Sequence, residues 1–302
     1  MPFQYFRGQN MKKAGGGAGL TGCPYAAAVS DAETAPGAGG GNDDGGELPP
    51  LIGLRAWRSK DWMPADVDRA REAQFLDQYV EQAWRVHDVA ADALVTQAAG
   101  AADDERQLLF LRLFAEYVNA LEVLGGWGWA TRNRDHVKLL LDGFLAYAPG
   151  EVASFYESVS ANDSADLADL LALQPLGEVA HAWADRGGED VHEQDLLDEF
   201  TRCAANLRQA ASQYFDHEQL LVTNYNKAKH GAPIIRTAAL APSEFFVLTP
   251  QRDPMQSGRY LFSKFRADDE MFARVAGNVT FVSRTTQALV SLLRNLKRLE
   301  LL

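Results

Sequence analysis

Asn224, Asn226, Lys227, Lys229 and His230 fall within ten residues, NYNKAKHGAP. An imidazole exchanges a proton near neutral pH, and an ammonium holds a phosphate as a compact point charge. Positions three and four apart on a helix share a face, so Thr223, Asn226, Lys227 and His230 are expected to point the same way. This group is the candidate for proton transfer on an anionic substrate: His230, Asn226 and Lys227 act on it, and Asn224, Lys229 and Arg236 help bind it. The same residues also have a purely structural reading. Cations ahead of Gly231 and Pro233 end a helix well, because they face the negative end of its dipole, glycine accepts the left-handed conformation and proline cannot continue the helix. Asparagine is a poor helix-interior residue whose amide competes for backbone hydrogen bonds, so these two can instead satisfy the backbone of the strand that follows.

Other residues with chemical potential are weaker. RNRDH sets Arg132 four residues before His136 at an expected helix start, where Asn133 or Asp135 would cap. Trp127 and Trp129 in GGWGW can stack on bases, although tryptophans in a turn between helices more often plug a core, and packing is expected. Arg236, Arg252, Arg259, Lys264 and Arg266 form a basic run that can attract phosphate or dock the acidic remainder of another copy. Gly17, Gly19 and Gly22 match GxGxxG, but no strand precedes them and Pro24 follows, so no dinucleotide site is expected. Six histidines without HExxH spacing and two cysteines, Cys23 and Cys203, give neither a metal motif nor a disulfide framework. No cofactor is expected.

The formal net charge of -12 argues against indiscriminate binding to nucleic acid or an anionic membrane. It is unevenly spread. Residues 221–302 hold 12 Lys+Arg and 6 Asp+Glu, a balance of +6, which leaves -18 for residues 1–220. A polyanion would therefore meet the C-terminal quarter. The absence of a long apolar run, and an N-terminal stretch of charges and glycines, lead us to expect a cytoplasmic protein with no membrane association.

The elements that must position the cluster are mainly helical. Residues 1–50 hold 12 of the 25 glycines and read as a flexible arm, and residues 51–302 as one helical domain. Phe75, Tyr79, Ala83, Val86, Ala90 and Leu94 mark one face of a long helix, and Phe110, Phe114, Tyr117, Leu121 and Leu124 mark a second that GGWGW would end. A third is expected from Asp135 to Tyr147, with shorter ones at 152–159 and 164–173. Phe200, Ala204, Leu207, Ala211 and Tyr214 begin a stripe predicting one helix of about ten turns from Val191 to His230. Short segments rich in Ile, Val, Phe and Tyr at about 232–266 read as an antiparallel β-hairpin or small sheet, and a final helix opens on Asp268, Asp269 and Glu270. The fold class is a helical bundle with a small β insertion before the C-terminal helix.

The run YNKAKHG closing a long helix, with a strand after it, resembles the Asn-Lys-x-Lys-His-Gly signature of bacterial helical proteins related to the HEPN superfamily. The resemblance spans about a fifth of the chain. It implies an RNA-binding or metal-independent RNA-cleaving protein, often dimeric and tied to toxin–antitoxin or defence systems, with His230 as the family histidine and Asn226 and Lys227 as its polar neighbours. RNA and a second copy or protein partner bound through the bundle are the implied partners. The family arginine would fall at Thr223, Asn224 or Tyr225, and none of these is arginine. The alternative is a non-catalytic helical scaffold in which the cluster anchors the β insertion.

Overall fold

A computed structural model of the chain describes residues 65–136, 139–162, 164–187, 191–215, 234–235, 240–252 and 260–302. The described chain is a helical bundle with a small antiparallel sheet ahead of its last helix, as the apolar periodicities predict. Helices α1 (Ala65–Glu81), α2 (Val86–Ala98), α3 (Asp103–Arg132), α4 (Leu140–Ala146), α5 (Pro149–Ser160), α6 (Leu167–Leu171), α7 (Leu176–Gly187) and α8 (Glu193–Tyr214) precede strands β1 (Ile234–Ile235), β2 (Glu244–Arg252) and β3 (Tyr260–Arg266). Helix α9 (Asp269–Arg298) closes the order.

Two long helices, α3 and α9, form the centre. Phe110, Phe114, Tyr117, Leu121 and Leu124 of α3 are buried, as are Phe272, Val275, Val279, Val282, Leu289 and Leu293 of α9. Both helices start favourably. Asp103, Asp104 and Glu105 occupy the first turn of α3, where carboxylates complement the helix dipole, and the Asp268 side chain accepts from Met271 N at the N-cap of α9. Ala102, not an aspartate, is the N-cap of α3.

Several element boundaries differ from those expected. The single helix predicted through Ala83 and Val86 is two helices joined by a 3-10 turn at Ala83–Arg85, with Gln82 out of the helical region at φ -140° and ψ -47°. The turn resets the helical phase, and Val86, expected on the buried face, is 62% exposed. Helix α3 runs straight through GGWGW. Its close at Arg132, followed by a 3-10 turn at Arg134–His136, replaces the helix expected to start at Asp135, and α4 begins only at Leu140. Helix α7 has no counterpart among the expected helices, although Leu176, Val179, Ala180 and Trp183 carry its spacing. Helix α8 ends at Tyr214, where Phe215 caps it by donating its N–H to Ala211 O and Gln213 O, so the ten-turn helix expected to reach His230 is interrupted there.

The sheet order is β1-β2-β3, antiparallel throughout, with Ile234 opposite Val247, and Phe245 opposite Phe265. It is sewn to the N-terminal third of α3. Phe110 meets the rings of Phe245, Phe265 and Phe272 at centroid distances of 6.3, 6.3 and 5.3 Å, and Phe265 packs on Phe114 at 5.6 Å. Buried Gln107 donates to Pro242 O at 3.0 Å. Arg106 ties three elements together. It donates to Ala267 O (2.6 Å) and Ala98 O (3.1 Å), pairs with Asp269, and lies 5.2 Å from the Phe272 ring centroid.

Candidate functional site

His230, Asn226, Lys227, Asn224, Lys229 and Arg236 all lie outside the described residues, as do Thr223 and Tyr225. The structure fixes what brackets them. On one side α8 closes at Phe215, with Tyr214 buried and its ring 4.6 Å from that of Tyr156. On the other, β1 pairs with β2 from Ile234 onward. Those two ends rest on different parts of the bundle, α8 against α5 and α6, and β2 against α3.

The basic run that follows the cluster in sequence is partly neutralised. Of its five residues, Lys264 and Arg266 have described side chains. Lys264 Nζ lies 2.7 Å from Glu244 Oε1 across the β2–β3 ladder, and Arg266 pairs with Asp268. The Lys264 ammonium, which also donates a hydrogen bond, holds the Glu244 carboxyl below the usual carboxylate range. Two of the cations expected to line a phosphate rim thus already have carboxylate partners, so their pull on a polyanion is reduced.

The second arginine–histidine pair does not converge on a site. Arg132 is engaged by Ser158 of α5, and Arg134 donates to the carbonyls of Thr131 (3.2 Å) and Leu171 (3.3 Å), while His136 sits exposed in the 3-10 turn. The Arg134 guanidinium satisfies carbonyls left open where α3 ends and α6 approaches. The tryptophans are core residues, as packing arguments predict: Trp127 is fully buried and stacked on Phe144 with centroids 4.1 Å apart, and Trp129 packs partly buried against the same core. Neither is a platform for bases.

Three buried groups also lie away from any reactive role. Burial, reinforced by Glu199, pushes the Cys203 thiol up to about 12, so the nucleophilic thiolate is scarce at neutral pH. Burial likewise raises the Tyr79 phenol to about 12 and the Tyr156 phenol well above its ordinary value, and Tyr156 donates to Leu121 O at 2.7 Å. Among the described residues no cluster of histidine, cysteine and carboxylate side chains has the makings of a metal site, and no helix is long and apolar enough to cross a membrane.

Two polar contacts were not visible from spacing. His87 Nδ1 lies 2.9 Å from Glu116 Oε2 across the α2–α3 pair. Glu72 of α1 is 1% exposed, accepts from Leu141 N at 3.0 Å and pairs with Lys297 of α9. Both join residues far apart in sequence, which no periodicity argument links. Glu72 does leave one trace, since it precedes the apolar positions Phe75, Leu76 and Tyr79 at helical spacing. Comparison with protein-family models, with curated proteins and with solved structures finds no match for this chain.

Proposed function

We propose that the protein is a HEPN-like, RNA-directed helical protein that engages RNA through residues 224–230, works within a bacterial defence or toxin–antitoxin module, and uses His230 for proton transfer. The observation that carries this reading is the run Asn226-Lys227-Ala228-Lys229-His230-Gly231, set between a bundle helix and the first strand of a small sheet. In metal-independent RNA cleavage the ribose 2′-hydroxyl attacks the adjacent phosphorus as a base removes its proton, and the 5′-oxygen departs with a proton from solvent, leaving a 2′,3′-cyclic phosphate and a 5′-hydroxyl. A histidine titrating near neutral pH can take that proton, while Lys227 and Lys229 offset charge developing on the phosphate. Asn226 supplies a donor for a phosphate or ribose oxygen.

The competing reading, a non-catalytic scaffold or regulatory subunit, draws on the lack of arginine at Thr223, Asn224 and Tyr225. A lysine point charge does not reproduce the bidentate hold of a guanidinium on phosphate. One experiment separates the two. Purified protein is incubated with end-labelled RNA in chelator, alongside His230→Ala and Lys227→Ala. The proposal expects cleavage that falls about 100-fold in His230→Ala. It also expects binding whose dependence on salt is shallower by about one ion in Lys227→Ala. RNA left both intact and unbound would sink the proposal, and salt-sensitive binding without cleavage would transfer it to the scaffold reading.

A further inference from the structure

Helix α1 differs from the other long helices in how it is held. Its charged and aromatic contacts stand out. Glu72, 1% exposed, is keyed to Lys297 of α9 and to the backbone N–H of Leu141 at the start of α4. Asp77, half a turn past the next helical repeat, faces Arg298 at 2.6 Å and Arg294 at 3.7 Å, so the C-terminal turns of α9 present three cations to two carboxylates of α1. Beneath these, Phe75 and Tyr79 lay their rings over Trp127 at 6.3 and 5.4 Å, and Tyr79 meets Phe144 edge-on at 6.4 Å.

A carboxylate removed from water is stabilised in place only while its cation stays, and an apolar pair of the same size would hold two helices at least as well. A charged key in that position therefore makes docking conditional: Glu72 without Lys297 drives α1 outward into water. The chain also carries a hinge for such a movement, because the helix is already broken at Gln82 and continues through a single 3-10 turn. Beyond the hinge, α2 is tied separately to α3 and α9, through His87 with Glu116 and Asp88 with Thr280.

We propose that α1 is a detachable cover, keyed to the bundle by the Glu72–Lys297 pair, whose departure uncovers an aromatic wall of Trp127, Phe144 and Tyr147 while the remaining helices stay folded. The wall is continuous: Trp127 stacks on Phe144 at 4.1 Å with planes 10° apart, and Phe144 meets Tyr147 at 5.8 Å. Its occupant in the closed form is α1 itself, through Phe75 and Tyr79.

Hydrogen exchange of the full-length protein, read by mass spectrometry, tests this. In the wild type, amides of residues 71–81 should exchange at least ~10-fold faster than those in the middle of α3 and α9, through an opening smaller than global unfolding. Lys297→Met keeps the aliphatic stem and strands the buried carboxylate. It should speed exchange in 71–81 by roughly 100-fold or more and leave α3 and α8 unchanged. Adding Glu72→Gln to Lys297→Met removes the naked charge, retains an acceptor for Leu141 N–H, and should restore most of the protection. The proposal is overturned if wild-type α1 is protected to the same degree as α3, if Lys297→Met leaves α1 exchange unaltered, or if the variant unfolds α1 and the bundle together.

Discussion

In α3 the chain passes Gly125, Gly126 and Gly128 without leaving the helix, whereas after α1 it leaves the helix at Gln82, in a stretch from Ala65 to Ala98 that holds neither glycine nor proline. Propensity alone predicts the reverse. What differs is the surroundings. A Cβ on Gly125 would come within 2.7 Å of Val152 Cγ1, one on Gly126 within 2.5 Å of Tyr147 Cε1, and one on Gly128 would press closer still into the Phe155 ring. The glycines are sites of close approach, and the aromatic packing they admit keeps the helix intact. At the α1–α2 junction, polar groups of α9 hold each side of the break. Gln287 donates to the carbonyl of Val80 at 3.3 Å, and Thr280 donates to Asp88 in the first turn of α2. The first of these satisfies a carbonyl that a continuous helix would have used itself.

If shape governs the first region, Gly128→Ala should destabilise the protein by about 2 kcal/mol in urea melts, the clash outweighing the better helix propensity of alanine. Gly277→Ala is the matched control. Gly277 also lies inside a long helix, α9, but a Cβ there meets nothing within 4 Å, so stability should rise by about 0.5–1 kcal/mol. Equal responses at the two positions would break the comparison.

If polar contacts govern the second region, Gln287→Ala should lower stability by about 1 kcal/mol, and amide exchange should quicken around Val80 before it does in α3. An unchanged exchange pattern would mean that the junction is set by its own sequence.

The smallest effect is expected at the sheet, where a half-buried ion pair spans β2 and β3. Glu244 is held below its ordinary pKa by Lys264, so this pairing stabilises the fold above the usual carboxylate pKa and is lost as pH falls through the lowered value. Thermal melts of Lys264→Met should lose that part of the wild-type acid sensitivity and change little at neutral pH. The glycine stretch of α3, fixed by shape, should give Gly128→Ala the same destabilisation at both pH values.

This contrast also explains what could be read from the sequence. Apolar stripes found α3, α9 and the first half of the α8 pattern, because each has one wide face against the core, and the alternation of Phe and Val with turn residues found the sheet. Boundaries were lost where tertiary contacts overrule local preference: at Gln82, at GGWGW and at Phe215, whose cap follows no glycine or proline. Of the candidate site, the packing of Trp127 and Trp129 was legible from their type, although they lie within α3 and not in a turn, while the carboxylate partners of Lys264 and Arg266 were not. Their pairing depends on strand register and on the turn into α9, which composition does not encode.

Cys203, on the buried face of α8 with its thiol protonated, has a practical consequence. A thiol in that state reacts with an alkylating reagent only during the moments when α8 lifts from its neighbours. Its modification rate is a built-in clock for the breathing of the bundle, available without any added label.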